Sequence, residues 1–226
     1  MTIAIAVCLS DGALLISDGL RVNPVQNNRI LSTDTRKIST ISSSMAAIEL
    51  GISRGTSIAL RAVNRSVLDQ AGAVSTIVSE IDRAIHFGWN VLLSSLGEDV
   101  DRNHPSIKVA LVFGGYAFAS SQGGLIGGSL YHIDGHDEPL IKTQENHFIV
   151  LGGEGQNAQS RYKDLAQREM DSLSSQGVGV RDNVVDAFIK AATTLIDEVA
   201  ELNPQIGGVS RYTIIRRGFP ISEGII

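Results

Sequence analysis
The sequence predicts an α+β fold on three observations. Two apolar runs, Ile3 to Cys8 and Ala13 to Ile16, flank an Asp11-Gly12 step, a two-residue hairpin signal. Ile77, Ile81, Ile85, Trp89, Leu92 and Leu96 then recur every three to four residues, the period of a helix with one buried face. Strand-like runs return after that helix, and a second helix pair precedes a last strand at Arg211 to Arg216. Two strand groups thus alternate with two helix pairs, without internal repeat or low-complexity tail.

Taken in order, the Asp11-Gly12 turn sets Ser10 opposite Ala13, hence Thr2 opposite Arg21, with Asp18 a few residues away. After a polar loop from Asn23 to Asp34, Thr35 to Ile41 reads as a third strand returning beside the first two. Ala59, Ala62, Val63, Ser66 and Val67 mark a short helix, and the long helix starts near Val74. Gly97 to Ser106 is a polar connector. Ile107 to Phe113 and Leu125 to Ile133 read as strands, separated by the Gly- and Ser-rich stretch Gly114 to Gly124. Phe148 to Leu151 is a further strand, and Ala158, Tyr162, Leu165 and Ala166 share a helix face. A polar link, Ser172 to Gly179, leads to a fourth helix with Val185, Phe188, Ala192, Leu195 and Val199 on one side. Asp182 is its expected N-cap, and Pro204 stands beyond its end.

Composition narrows the function classes. At 226 residues and 43% hydrophobic content the chain can form one well-cored domain spanning 1–226. The net charge of −5 and the lack of a Lys/Arg-rich run argue against a nucleic-acid partner. Cys8 is the only cysteine, so an intrachain disulfide is excluded and a reducing compartment fits; its apolar strand makes it a core residue. No basic region with an apolar stretch opens the chain and no run approaches about 18 apolar residues, so the expectation is a cytoplasmic protein with no membrane partner.

The first residues carry the chemistry. Thr2 directly follows Met1. If Met1 is removed, one residue holds a hydroxyl nucleophile and a free α-amine, which titrates near ~7.7–8.0 and can serve as its general base. Asp18 lies near that amine through the hairpin. Lys37, on the third strand, would lower the amine's pKa and stabilise an ionised hydroxyl while Asp18 holds it. Met-Thr is also an ordinary start to a first strand, and Asp18 and Lys37 also read as a surface ion pair at a strand end.

Thr2 after the initiator Met, Ser17-Asp18-Gly19, Arg36-Lys37-Ile38, the run Phe148 to Gly155 and the Gly207-Gly208 pair before the last strand together resemble proteasome β-subunits and the bacterial HslV peptidase, members of the N-terminal-nucleophile hydrolases. The resemblance runs nearly the whole chain in order, through short motifs. It implies a four-layer αββα sandwich and a threonine peptidase with Thr2 as nucleophile, Lys37 tuning its amine and Asp18 positioning Lys37. It also implies an oxyanion donor at the backbone amide of Gly51, with Ile52 the alternative. Val22 stands where the main chain pairs with an extended substrate. No cofactor or metal is implied. Partners implied are a peptide or protein substrate, a homo-oligomeric ring, and an ATP-driven unfoldase for which the sequence shows no motif.

Three positions depart from the family pattern. Gly153 stands where a Ser is usual, and Asn203 and Ile206 where an Asp and a Ser usually orient the Thr amine. The inner trio is kept while its polar surround is reduced, which leaves open a non-catalytic scaffold subunit, or a hydrolase of small amides on the same fold.

Two other motifs carry weaker readings. Gly153, Gly155 and Ala158 match a dinucleotide-binding fingerprint in form, but no parallel strand with an acidic end follows the next helix. The run His132 to Glu138 has metal-ligating side chains, yet Asp134-Gly135 is an ordinary solvated turn and no further His or Cys stands at a metal-site spacing.

Overall fold
A computed structural model of the chain describes residues 2–23, 29–70, 74–97, 107–116, 124–127, 131–132, 135–136, 140–142, 144–152, 156–175 and 180–226. In chain order, β1 (Ile3–Leu9), β2 (Gly12–Ser17), β3 (Arg21–Asn23), β4 (Arg29–Ser32), β5 (Ile38–Ser42) and β6 (Met45–Gly51) precede α1 (Ser53–Ala62), α2 (Arg65–Gln70) and α3 (Val74–Ser95). There follow β7 (Val109–Gly115), β8 (Gly124–Gly127), β9 (Tyr131–His132), β10 (Gly135–His136), β11 (Leu140–Lys142) and β12 (Phe148–Gly152). Helices α4 (Gln156–Ser175) and α5 (Val180–Leu202) lead to β13 (Arg211–Arg216) and β14 (Ser222–Ile225). The fold is α+β with antiparallel sheets: one in the order β12-β1-β2-β13-β14, the other in the order β10-β9-β7-β6-β5 with β8 and β11 attached, and a small β3-β4 pair.

Side-chain alternation along β1 explains how the first sheet is used. Ile3, Ile5, Val7 and Leu9 point to one face, where they meet Tyr162, Phe188, Leu195 and Ile196 of α4 and α5. Ala4, Ala6 and Cys8 point to the other, where with Ala13, Leu15 and Ile215 they meet Ile38, Ala46, Ile48, Ala110 and Val112 of the second sheet. The far face of that sheet, through Met45, Ala47, Leu111 and Phe113, packs on Ile77, Ile81, Ile85 and Trp89 of α3 and on Ala59 of α1. Both faces of β1 and β2 are therefore buried. Tyr162, fully buried, donates its hydroxyl to the Phe188 carbonyl at 3.2 Å and meets the Phe148 ring edge-on at 5.0 Å.

Several expectations are corrected. The β1–β2 register pairs Leu9 with Gly12 and Ala4 with Ser17, so Ser10 and Asp11 form the turn and the pairing is displaced by two residues. Gly12 is not the turn's flexible residue: a Cβ there would lie 1.8 Å from the Ile215 carbonyl oxygen, so its absence lets β13 approach β2. The third strand, β5, joins the second sheet beside β6 and reaches the first pair across the inter-sheet core. The expected short helix is two, α1 and α2, broken at Val63-Asn64. There the Asn64 side chain accepts from the Ser66 amide, as an N-cap does, and Glu80 accepts from the Asn64 amide at 2.6 Å. The expected strand Leu125 to Ile133 is divided between β8 and β9, which pair separately with β7. The link after α4 is shorter than expected because α4 runs on to Ser175, and α5 begins at Val180, ahead of Asp182. Among the described residues no helix is long and apolar enough to cross a membrane.

Replacing Gly12 by Ala is expected to destabilise the fold by roughly 3 kcal/mol, because the obstructing atom is backbone held in the β2–β13 ladder. Gly97→Ala, where a Cβ meets nothing within 4 Å, should stay within about 0.5 kcal/mol of wild type in the same urea denaturation.

Candidate active site
The candidate site gathers where the N-terminal ends of β1 and β5 face the end of β2. Thr2 immediately precedes β1, and β12 approaches it so closely that a Cβ on Gly152 would lie 1.7 Å from the Thr2 carbonyl oxygen; Gly152 also has φ +84°. Only glycine suits both demands.

Asp18 follows β2 and, in the observed register, lies opposite Ile3. The Asp18 amide donates to the Ile3 carbonyl at 3.4 Å and the Ile3 amide donates to Asp18 Oδ1 at 3.0 Å. The Gly207 amide donates to Asp18 Oδ2 at 3.4 Å, while the Gly207 carbonyl accepts from Gly19 and Leu20 at 3.0 and 2.7 Å. Gly208, at φ +73°, lets this segment close against the chain: a Cβ there would stand 2.3 Å from the Thr33 carbonyl oxygen. The loop after α5 thus adds a second, longer hydrogen bond to the carboxylate that the hairpin already holds.

Lys37 comes from the other sheet. Its carbonyl accepts from the Glu49 amide at 2.8 Å, extending the β5–β6 ladder by one residue, and this anchors the backbone from which the side chain reaches across. Nζ donates to Asp18 Oδ1 and to Thr2 Oγ1, each at 2.9 Å. Asp18 is wholly buried and Lys37 is 7% exposed. Burial pushes the Asp18 carboxyl up and the Lys37 ammonium down, and each is the counterweight to the other's shift. This is no surface ion pair.

Thr2 remains partly exposed in a cleft of about 560 Å³ that Lys37, Gly51 and Val22 also line. The amides of β6 alternate in direction. That of Glu49 goes to Lys37 and that of Ile52 goes to the Lys108 carbonyl at 2.9 Å, so the ladder turns the Gly51 amide toward the Lys37 side. The Ile52 amide is already engaged. Val22 lies in β3, which among the described residues pairs only with β4.

Compared with known proteins, the chain matches no family model, and no curated protein matches it significantly.

Other expectations fare differently. Asn203 accepts from the Gln205 amide at 2.9 Å within its own turn, and Ile206 is buried in the apolar cluster beneath α5. Gly153 lies outside the described residues, as do Asp134, Asp137 and Glu138 of the proposed metal loop. Among the described residues no group of three or more His, Cys, Asp or Glu is placed to hold a metal ion. The dinucleotide reading fails on topology: β12 pairs antiparallel with β1, and the element that follows α4 among the described residues is α5, not a parallel strand. Cys8 is buried, its thiol pushed up to about 11 chiefly by desolvation, which suits a core side chain and not a thiolate nucleophile.

Sequence reasoning missed Gly152 as the residue seating Thr2 and Lys108 as a cleft residue. A glycine ending an apolar strand was the signal for the first. The second gave none, since Lys108 stands one residue ahead of a strand on the other sheet.

Lys37→Met alone should cost about 3–5 kcal/mol in chemical denaturation, because it leaves the Asp18 carboxylate buried without its ammonium. Asp18→Asn together with Lys37→Met should recover much of that loss. A double variant no better than Lys37→Met would show that the pair is not the source.

Proposed function
We propose that the protein is a threonine peptidase of the N-terminal-nucleophile hydrolase type, similar to proteasome β-subunits and the HslV peptidase, with Thr2 as nucleophile once Met1 is removed. The observation that carries the reading is the placing of Lys37 Nζ at 2.9 Å from both the Thr2 hydroxyl and a wholly buried Asp18 carboxylate. An ammonium donating to Oγ1 favours its ionised form, and the carboxylate keeps that ammonium aimed. Two buried sheets sharing an apolar core, each with helices on its outer face, support the four-layer αββα reading.

In the proposed reaction Thr2 Oγ1 attacks the peptide carbonyl carbon as its proton passes to the α-amine. The resulting oxyanion is received by the Gly51 amide. Collapse breaks the C–N bond, the amine returns the proton to the leaving nitrogen, and an acyl ester remains on Thr2. Water then adds to the ester carbonyl, releasing the acid and restoring the hydroxyl. The edge of β3 away from β4, which no strand among the described residues occupies, suits an extended peptide at Val22, which would add to it as a further strand. We further propose a homo-oligomeric ring served by an ATP-driven unfoldase, without cofactor, in the cytoplasm.

A second reading, a non-catalytic subunit, is favoured by one observation: Ile206, at a position where the resemblance implies a polar residue, is buried in an apolar cluster.

Acylation by a peptide β-lactone separates the two. Intact mass should give a chain beginning at Thr2 that gains one adduct, Thr2→Ala should gain none, and Lys37→Ala should react at least ~100-fold more slowly. The wild-type rate should rise with pH as the amine loses its proton, at a pH below the unperturbed range of about 7.7–8.0, because the neighbouring Lys37 ammonium disfavours a second positive charge. It should fall again at a pH below that of an ordinary lysine, because burial lowers Lys37 and the ammonium is lost early. An inert, correctly processed wild type would favour the scaffold. Light scattering should find a species well above the 24.1 kDa protomer, and a monomer at all concentrations would contradict the ring.

A further inference from the structure
The lining of the cleft is unevenly charged. Among the described residues that line it, Glu49 is the one acid, against Arg21, Arg36, Lys37 and Lys108. Glu49 is engaged by its own wall: Oε1 accepts from the Ser39 hydroxyl at 3.2 Å, and Oε2 accepts from Thr56 and Ser57 at 3.2 and 3.0 Å. Three of the bases are likewise engaged: Lys37 pairs with Asp18, Arg36 pairs with Glu223, and Arg21 donates to the Ser53 hydroxyl. Lys108 differs, being in no ion pair among the described residues.

Its position is well defined. The Lys108 carbonyl accepts from the Ile52 amide at 2.9 Å, and its Cγ lies 3.2 Å from where a Cβ on Gly51 would stand. The stem therefore runs over Gly51, the residue whose amide faces the Lys37 side. An ammonium on that stem would lie near the side chain of the residue whose carbonyl is held at Gly51.

We propose that Lys108 is a specificity-determining residue of this cleft, selecting peptides with a carboxylate side chain on the residue whose carbonyl Thr2 attacks. The inference rests on the peptidase reading of the site and adds its substrate class. Burial lowers the Lys108 pKa, and no carboxylate among the described residues offsets it, so a ligand carboxylate would supply a counter-charge. A ligand lysine would bring a like charge into the same space.

The test uses three peptides identical except for Glu, Leu or Lys at that residue, each with the same fluorogenic amine as leaving group. Wild-type kcat/KM should favour Glu over Lys at least tenfold, Lys108→Met should reduce the ratio below about threefold, and Lys108→Glu should invert it. Binding is read separately by fluorescence anisotropy, with tagged copies of the same peptides and the full chain carrying Thr2→Ala, which needs no turnover. There Glu should bind at least tenfold more tightly than Lys, and Lys108→Met should remove the difference. Equal binding of the three peptides, or a Glu preference that survives Lys108→Met, overturns the proposal. Selective binding without turnover of any peptide would sink the peptidase reading and leave the carboxylate selectivity of Lys108 standing.

Discussion
The buried contact between Asp18 and Lys37 is the constraint on which the rest of the site depends. Its two halves come from different sheets, so the carboxylate and the ammonium meet only if those sheets pack face to face in one relative position. The layer between them mixes small residues, Ala4, Ala6, Cys8, Ala13, Ala46 and Ala110, with larger ones such as Leu15, Ile38, Ile48 and Ile215. Desolvating two charges costs several kcal/mol per ion and is offset only when the remaining lone pairs are also satisfied. The Ile3 and Gly207 amides do this for Asp18, and the Thr2 hydroxyl takes a further hydrogen from Lys37. A pair of this kind adds little to net stability compared with apolar packing; its value lies in orientation.

That orientation is confined to one opening. Asp18 is closed in by the β1–β2 hairpin and the Gly207-Gly208 turn, so of the trio it is Thr2, partly exposed, and Lys37 that line the cleft. Gly152 fixes the Thr2 backbone from one side, while Gly51 presents its amide from the second sheet. The surround is less polar than the resemblance implies, since Ile206 is buried in the core. A rigid inner trio beside a thinned outer layer suits chemistry on an already well-positioned carbonyl.

Much of the architecture was legible in the sequence because its signals are local. The a/d-like spacing from Ile77 to Leu96 marks α3, and the apolar alternation from Ile3 onward marks β1. Thr2, Asp18 and Lys37 were legible as a set through their motifs. The route by which Lys37 arrives was not, since Thr35 to Ile41 looks the same whether it pairs in the first sheet or packs across from it. Register failed at Gly12 for a similar reason: glycine serves a turn or a close strand approach equally well, and only β13, about two hundred residues on, decides between them. The break between α1 and α2 was signalled by Asn64, a good N-cap residue, but hidden by helical spacing on both sides. Lys108 had no local signal, because its meaning comes from lying over Gly51.

The central claim, that Thr2 attacks a carbonyl whose oxygen is received at Gly51, is tested most directly by a crystal structure of the processed protein with a peptide aldehyde. The expected result is a hemiacetal bond from Thr2 Oγ1 to the aldehyde carbon, with the new oxygen about 2.7–3.1 Å from the Gly51 amide nitrogen. Lys37 should still bridge Thr2 and Asp18. An adduct on another residue, or one on Thr2 whose oxygen points away from Gly51, would contradict it.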